Sequence, residues 1–525
     1  MSQIKRLTAG IVYLFLFVFA CCSLTEAAAK NKTLIYIPLD NRPVTASYPV
    51  DVVRAAGYTV LTPPQKLLSS YNRNGNPEKL WQWLLANSEN AEAAILSSDS
   101  LIYGGLVGSR THQLSEKELD KYLNRFANLR DYTRMRLYVF STLMRTPRSS
   151  VGAVEPPYYE KYGPIIFEYS ALVDQENIRP LSFHDALVKQ GLKEQLPPEV
   201  LKDWQTRRQK NYQTNLTLTK LQRQHKFYFL AIGKDDNAPL SATHMEARKL
   251  QTATNDLTQQ TMQIVSGVDQ LGLLLLTRAI CDIERITPHI YVDYGEGYGR
   301  FTLPQYSDQR LAQSVPQQIM AANAIPLVSM QDADFVLAIK TPADGIMRDS
   351  TDSSNKFFSS PQDRRFIKRL LQIYQQGHTL SLADVTYSNG ADNGFMNEFA
   401  KQGGLNKLLA YNAWNTADNT IGYAIAQGIL ARHISSIDRE RLLNIRLVDD
   451  WFYQANARTA ACEYLLKKHN PQAEYSLNRH QHDIVELSER VCRKLADKYD
   501  HTRYFDFELA FPWNRLFEVN VQTKH

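Results

Sequence analysis

Phe227-Tyr228-Phe229-Leu230-Ala231-Ile232-Gly233-Lys234-Asp235-Asp236-Asn237-Ala238-Pro239 decides how the rest of the chain is read. An apolar, aromatic run of strand length stops at two carboxylates, and Asn and Pro then open a loop. The same events recur on either side. Asp40-Asn41-Arg42-Pro43 follows an apolar run, Asp99 follows Ile95-Leu96-Ser97-Ser98, and Asp384 follows Leu380-Ser381-Leu382-Ala383. Longer amphipathic stretches separate these runs, which is the alternation of parallel strands joined by crossover helices. Strands are predicted at 34–39, 58–62, 93–97, 137–142, 227–232, 289–294, 335–339, 379–383 and 408–412. The fold class is therefore α/β. A (β/α)-barrel-like body is preferred over a doubly wound open sheet, because about eight or nine strands precede a helical C-terminal region.

Three parts follow from this reading: a leader at 1–29, an α/β body at 30–433 and helical sequence at 434–525. Within the body, Pro-rich turns and polar helical sequence at about 151–225 interrupt the alternation as a helical insertion. Lys5 and Arg6 precede an apolar run from Gly10 to Cys22, and Ala27-Ala28-Ala29 supplies the small residues of a signal-peptide cleavage site. The run is short for a spanning helix, which needs about 20 apolar residues. Export to the periplasm or beyond is expected. Val18-Phe19-Ala20-Cys21 offers a second reading as a lipobox, in which an acylated Cys21 would tether the protein to a membrane. Cys281, Cys462 and Cys492 remain after cleavage; a Cys462–Cys492 bridge and buried free thiols are both open. The formal charge is only +6, with bases and acids interspersed, so no nucleic-acid partner is expected.

In parallel α/β folds the carboxyl ends of the strands lie on one side, so residues at strand exits converge there. Asp40, Arg42, Asp99, Asp384, Asn389 and Asp392 are placed in one cleft on this ground, and Tyr103 joins them from the Tyr103-Gly104-Gly105 loop. Asp and Asn are also common at strand exits as helix caps and turn formers, so the case rests on the set. Asp235 and Asp236 are the catalytic candidates, since neighbouring carboxylates in different environments can divide acid and electrostatic roles. Adjacent strand residues point to opposite faces, so both reach one substrate only if the strand has already ended. Trp414, Asn415 and Asn419, in Trp414-Asn415-Thr416-Ala417-Asp418-Asn419, combine an indole with amides, as suits a sugar with an apolar face and a hydroxyl rim.

There is no Walker loop, no Gly-x-Ser-x-Gly elbow and no His-Glu-x-x-His helix, and Gly295-Glu296-Gly297-Tyr298-Gly299 runs into Phe301-Thr302-Leu303-Pro304 instead of a helix. No cofactor and no metal is expected from these motifs. Asp40, Asp99 and Asp384 would be the ligands in a metal-assisted alternative.

Leu39-Asp40-Asn41-Arg42-Pro43-Val44, Ser97-Ser98-Asp99-Ser100-Leu101-Ile102-Tyr103-Gly104-Gly105 and Trp414-Asn415-Thr416-Ala417-Asp418-Asn419-Thr420 resemble the bacterial family known as domain of unknown function 4127. Asp449-Asp450-Trp451 and Pro512-Trp513-Asn514-Arg515-Leu516-Phe517-Glu518 extend the resemblance over nearly the whole chain. That family name implies no activity. The Asp-Asp pair is also similar to that of glycoside hydrolase family 84, which implies an orienting role for Asp235 and an acid/base role for Asp236. The expected function is carbohydrate processing outside the cytoplasm, as a glycoside hydrolase on a glycan or other small polar substrate. The alternative is a non-catalytic glycan-binding or envelope-assembly protein.

Overall fold

The computed structural model describes residues 33–148, 154–468, 471–503 and 505–523. The leader and Cys21 lie outside them. Strands β1 (Thr33–Ile37), β2 (Thr59–Leu61), β3 (Ala93–Ser97), β4 (Arg136–Leu143), β5 (Phe229–Lys234) and β6 (Met262–Ser266) form one parallel sheet in the order β2-β1-β3-β4-β5-β6. A second parallel sheet contains β7 (His289–Tyr294), β8 (Ile325–Leu327), β9 (Phe335–Lys340), β11 (Leu380–Asp384) and β13 (Leu408–Asn412), in the order β13-β11-β9-β7-β8. Two-residue strands β10 (Arg348–Asp349) and β12 (Tyr387–Ser388) pair beside it. All nine expected strands are present, and within the two large sheets β6 and β8 are additional.

Neither sheet closes. Among the described residues β2 pairs only with β1 and β6 only with β5, while β8 and β13 are the edges of the second sheet. The parallel α/β class is as expected, but the architecture is the doubly wound open form instead of the preferred barrel. Each sheet, counted along its own five leading strands, runs 2-1-3-4-5, so each has a switch point between its first and third strands.

Side-chain alternation explains how the sheets stack. In the first sheet Leu34, Tyr36, Ile95, Phe140 and Phe229 face one core, and Ile35, Ile37, Leu96, Val139 and Ile232 face another. The first core continues without a break to Ile290, Phe335, Leu337 and Ile339 of the second sheet. Two helices fill it. Leu271–Glu284 lies on β3 and β4, Ala417–Leu430 lies on β9, β11 and β13, and the two pack on each other. Leu271–Glu284 reads LGLLLLTRAICDIE and is buried through Cys281, and every residue of Ala417–Leu430 is buried, as a helix apolar on all sides requires.

Gly272 makes the close approach to the first sheet feasible, because a Cβ there would fall on the Tyr36 hydroxyl, which itself donates to the Thr45 carbonyl at 2.5 Å. Gly272→Ala is therefore expected to cost about 1–3 kcal/mol by overpacking. A lowered urea midpoint with an unchanged m-value is the readout; an unchanged midpoint would contradict this packing.

Between β4 and β5 run three helices, Tyr159–Ile178, Phe183–Glu194 and Pro198–Arg223, the last of which returns Leu218 and Leu221 to the outer core of the first sheet. C-terminal sequence packs over the outer face of the second sheet through Ser436–Arg446, a π-helical segment Leu447–Ala457, Arg458–Lys467 and Gln481–Ala496. It ends in an antiparallel pair, β14 (Phe507–Ala510) with β15 (Asn520–Thr523). Cys281, Cys462 and Cys492 are free thiols, so the Cys462–Cys492 bridge is not formed. No described helix is long and apolar enough to cross a membrane.

Candidate functional site

A cavity of about 230 Å³ opens at the carboxyl ends of the first sheet's strands, and it is completed by the second sheet and the C-terminal tail. Arg42 comes from the loop after β1, and Leu106, Val107 and Arg110 from the segment after β3, so the cavity spans the β1/β3 switch point. Arg145 follows β4, Asp235 and Asp236 follow β5, and Asp269 follows β6. Tyr306, Asn415 and Asn419 enter from the second sheet, and Trp513, Arg515 and Phe517 from the tail.

β5 ends at Lys234, and Asp236 has a left-handed φ of 24°. The strand has stopped, so both carboxylates line one cavity instead of dividing between two faces of the sheet. Tyr306 (φ 63°) and Asn415 (φ 61°) share this unusual backbone geometry. Such conformations cost of order 1–3 kcal/mol each and cluster at functional sites. The Tyr306 carbonyl accepts from the Asn237 amide at 3.0 Å, tying the ring's loop to the one that carries the carboxylates.

Ion pairs fix most of the charged heads. Arg42 grips Asp40 at 2.8 Å and Asp269 at 2.5 Å, with all three residues buried. Asn415 Nδ2 donates to Asp269 at 3.3 Å, and the Asp269 amide donates to Asn419 Oδ1 at 3.3 Å, which joins the two sheets under the cavity. Gly267 (φ 83°) permits this join, since a Cβ there would press on Asn419 Oδ1 at 2.8 Å. Arg110 holds Asp235 at 2.5 Å and Arg145 holds Asp236 at 2.6 Å. Glu155 lies behind both, 2.6 Å from Arg145 and 3.6 Å from Arg110.

Within these pairs Arg42, Arg110 and Arg145 meet five carboxylates, Asp40, Asp235, Asp236, Asp269 and Glu155, while Glu474 and Arg515, which pairs with Glu518, also line the cavity. Burial pushes the Asp235 carboxyl up to about 6, with Arg110 pulling against it and Asp236 adding to it. Burial raises Asp269 as well, again against Arg42. Asp236 is the more open of the adjacent pair, with 23% of its side chain exposed against 5% for Asp235. The two acids therefore occupy different environments, which is what a division between proton carrier and fixed charge requires.

Of the expected binding residues, Arg42, Asn415 and Asn419 line the cavity, as both catalytic candidates do. Asp40 stands behind Arg42, held also by the Thr45 hydroxyl at 2.5 Å. Asp99 is buried below the cavity, its Oδ1 accepting from Thr142 at 2.8 Å and its Oδ2 without a partner. Tyr103 is buried against His112, with ring centroids 4.7 Å apart, and does not reach the cavity. Asp384 and Asp392 belong to a separate buried cluster around Lys340, where Asp392 caps the helix Asn393–Lys401 and lies 3.1 Å from Lys340. Asn389 supports from behind, its amide donating to the Asn415 carbonyl at 2.7 Å. Trp414 is 5% exposed, a core residue 5.9 Å from Phe517, and offers no sugar platform. Asp40, Asp99 and Asp384 hold different partners and form no common ligand set; among the described residues no group of three or more His, Cys, Asp or Glu could hold a metal.

Sequence reasoning did not reach Arg110, Arg145, Asp269, Tyr306 or Arg515. Asp269 did carry the signal already used elsewhere, since Ser266-Gly267-Val268-Asp269 is another strand exit, but its strand had not been recognised.

Burial also raises the Asp99 carboxyl, to about 7. An acid raised in the folded state contributes stability that is complete below its unfolded value, about 3.9, and that is lost as pH rises through the folded value. Asp99→Asn removes this loss. The variant is expected to be the more stable protein at about pH 8, with the gap closing toward about pH 4. Parallel melting curves across that range would contradict it.

The barrel strand end behind the likeness to glycoside hydrolase family 84 has no counterpart in two open sheets. No curated protein and no solved structure matches the chain. Residues 34–522, which take in both sheets, the cavity and the tail, match the family described as protein of unknown function (DUF4127), and the chain belongs to that family.

Proposed function

We propose that this DUF4127 protein is an exported carbohydrate-processing enzyme, a glycoside hydrolase whose acid/base carboxylates are Asp235 and Asp236. The observation that carries the reading is their joint exit from β5 into one cavity, with Asp235 buried and raised to about 6 beside a more open Asp236. A buried carboxyl raised toward neutrality can deliver a proton to a leaving oxygen, and the more open Asp236 beside it, paired with Arg145, lies where it can stabilise positive charge developing on a sugar ring. The roles are thus the reverse of those implied by family 84. Tyr306, 47% exposed at the cavity, takes the stacking role first given to Trp414. Arg42, Asn415 and Asn419 supply donors and acceptors for hydroxyl groups. Lys5, Arg6 and the apolar run after them support export.

A panel of chromogenic glycosides and cell-wall fragments incubated with residues 30–525 tests the reading. Turnover of at least one substrate is expected, with Tyr306→Ala raising KM severalfold as the apolar face of the exposed ring is lost. No turnover of any glycan would remove the hydrolase. Non-catalytic glycan binding is the second reading, favoured by the pairing of each acid with its own arginine. It would show as saturable binding without products.

A further inference from the structure

We infer that Glu155 is a positioning residue for the acid pair, bridging Arg110 and Arg145 and adding the negative charge that makes the pair retain a proton. The catalytic use of that proton rests on the hydrolase reading above. Geometry is the first argument. Glu155 Oε1 accepts from Arg145 Nε at 2.6 Å and lies 3.6 Å from Arg110 Nη1, so one oxygen stands between two guanidinium groups. Each arginine is left a different edge for its own acid. Arg110 turns Nε and Nη2 to Asp235 at 3.2 and 2.5 Å, and Arg145 turns Nη1 to Asp236 at 2.6 Å. The contacts run Asp235, Arg110, Glu155, Arg145, Asp236, and the two ends are neighbours in the chain, so they close a ring. Its members come from the segments after β3, β4 and β5.

Charge is the second. The ring holds two arginines and three carboxylates, and Glu155 and Arg110 are buried, with 3% and 5% of their side chains exposed. Like charge and lost hydration both press a carboxylate in excess to take up a proton. In a coupled set that proton belongs to the network before it belongs to one residue. Glu155 supplies the excess, since without its charge two arginines would meet two acids. Burial works against the charge of Arg145, and Glu155, ahead of Asp236 and Asp235, restores it. The guanidinium that serves Asp236 is thus held first by Glu155. The other titratable groups facing the ring are Asp99, whose charge acts with that of Asp235, Asp269 and Tyr306, which feel Asp236, and Tyr159, which feels Glu155. All of these are common to the parent and a Glu155 variant, so a substitution there isolates one charge.

Glu155→Gln keeps the length and an oxygen for Arg145 Nε while removing the charge. Ionised Asp235 is then better compensated, so the fall in kcat/KM that accompanies its ionisation should move down by about one pH unit. Glu155→Asp, which keeps the charge, should return the fall toward the parent's position; a merely structural glutamate would change stability and leave the profile in place. Melting curves read the same proton without a substrate. A raised acid contributes stability that is complete below its unfolded value, about 3.9, and lost as pH rises through the folded one. The advantage of Asp235→Asn over the parent should therefore grow up to about pH 6, and in the Glu155→Gln background it should stop growing about one pH unit lower. A rate profile and a melting difference that both stay at the parent's position would overturn the positioning role and leave the hydrolase reading standing. Cleavage of no glycan would overturn the hydrolase reading, and the melting difference alone would then decide for or against Glu155.

Discussion

Arg42→Met is expected to lower folding stability by about 3–5 kcal/mol, the cost of leaving a buried charge without its partner. Arg42 is 5% exposed and is the only ion-pair partner of either Asp40 or Asp269 among the described residues, at 2.8 and 2.5 Å. Burial alone would weaken the guanidinium's hold on its proton, yet Asp269 and Asp40 reverse the effect and raise it. Methionine keeps much of the volume and removes all the charge, so two carboxylates in a low-dielectric site would lose their compensation. Part of the loss should return in the Arg42→Met, Asp269→Asn double variant, because one of the two stranded charges is then gone. Denaturant unfolding checks both. A single variant as stable as the parent would mean that the clamp beneath the cavity does not hold the loops after β1 and β6 of the first sheet together.

Asp235→Asn is expected to lower turnover by about 10²–10⁴-fold, the usual contribution of a positioned acid or base. The effect should appear in kcat more than in KM, since a proton delivered only in the transition state contributes little to substrate binding. Its pH dependence carries a sign. Asp235 sits at about 6 in the unliganded site, so its acid form, and with it kcat/KM, falls as pH rises through that value. Asp235→Asn should flatten this limb in whatever activity remains. Asn can still accept from Arg110, so the loss is not expected to come with unfolding. A fall on the acid side of 6, or an unchanged profile in the variant, would reassign the proton to another group.

Most of this fold was legible because strands covered on both faces announce themselves. β1, β3, β4, β5 and β9 read as unbroken apolar runs and are buried almost throughout. β6 and β8 were not, for the reasons that make them edges: Met262-Gln263-Ile264-Val265-Ser266 places a polar residue inside the run, and Ile325-Pro326-Leu327 is three residues long around a proline. Overlooking β6 also hid Asp269, the acid that Arg42 shares with Asp40. Barrel against open sheet was not readable at all, since closure depends on which edges meet and no local pattern records that.

The site was legible where chemistry sits on a strand exit and illegible where it depends on distant packing. Asp235 and Asp236 gave themselves away by following an apolar run. Arg110 and Arg145 became functional candidates only through partners far along the chain, and their own neighbourhoods carry no comparable mark. Trp414 misled for the same reason. An indole among amides suits a sugar equally well on paper and in the core, and it is Phe517, from the far end of the chain, that helps to cover it. The tail residues Trp513 and Arg515, noticed at first only as a family landmark, proved to form a wall of the cavity.

The most direct test of the account is a comparison of residues 30–525 with Asp235→Asn on any glycoside that the panel shows to be cleaved, assayed across the pH range around 6 with folding checked by melting. The account predicts that the folded variant loses at least about a hundredfold in kcat together with the limb that falls above about 6. A folded variant that cleaves at the parent's rate would contradict it, and would leave the carboxylate pair after β5 as a strand-exit motif without a catalytic role.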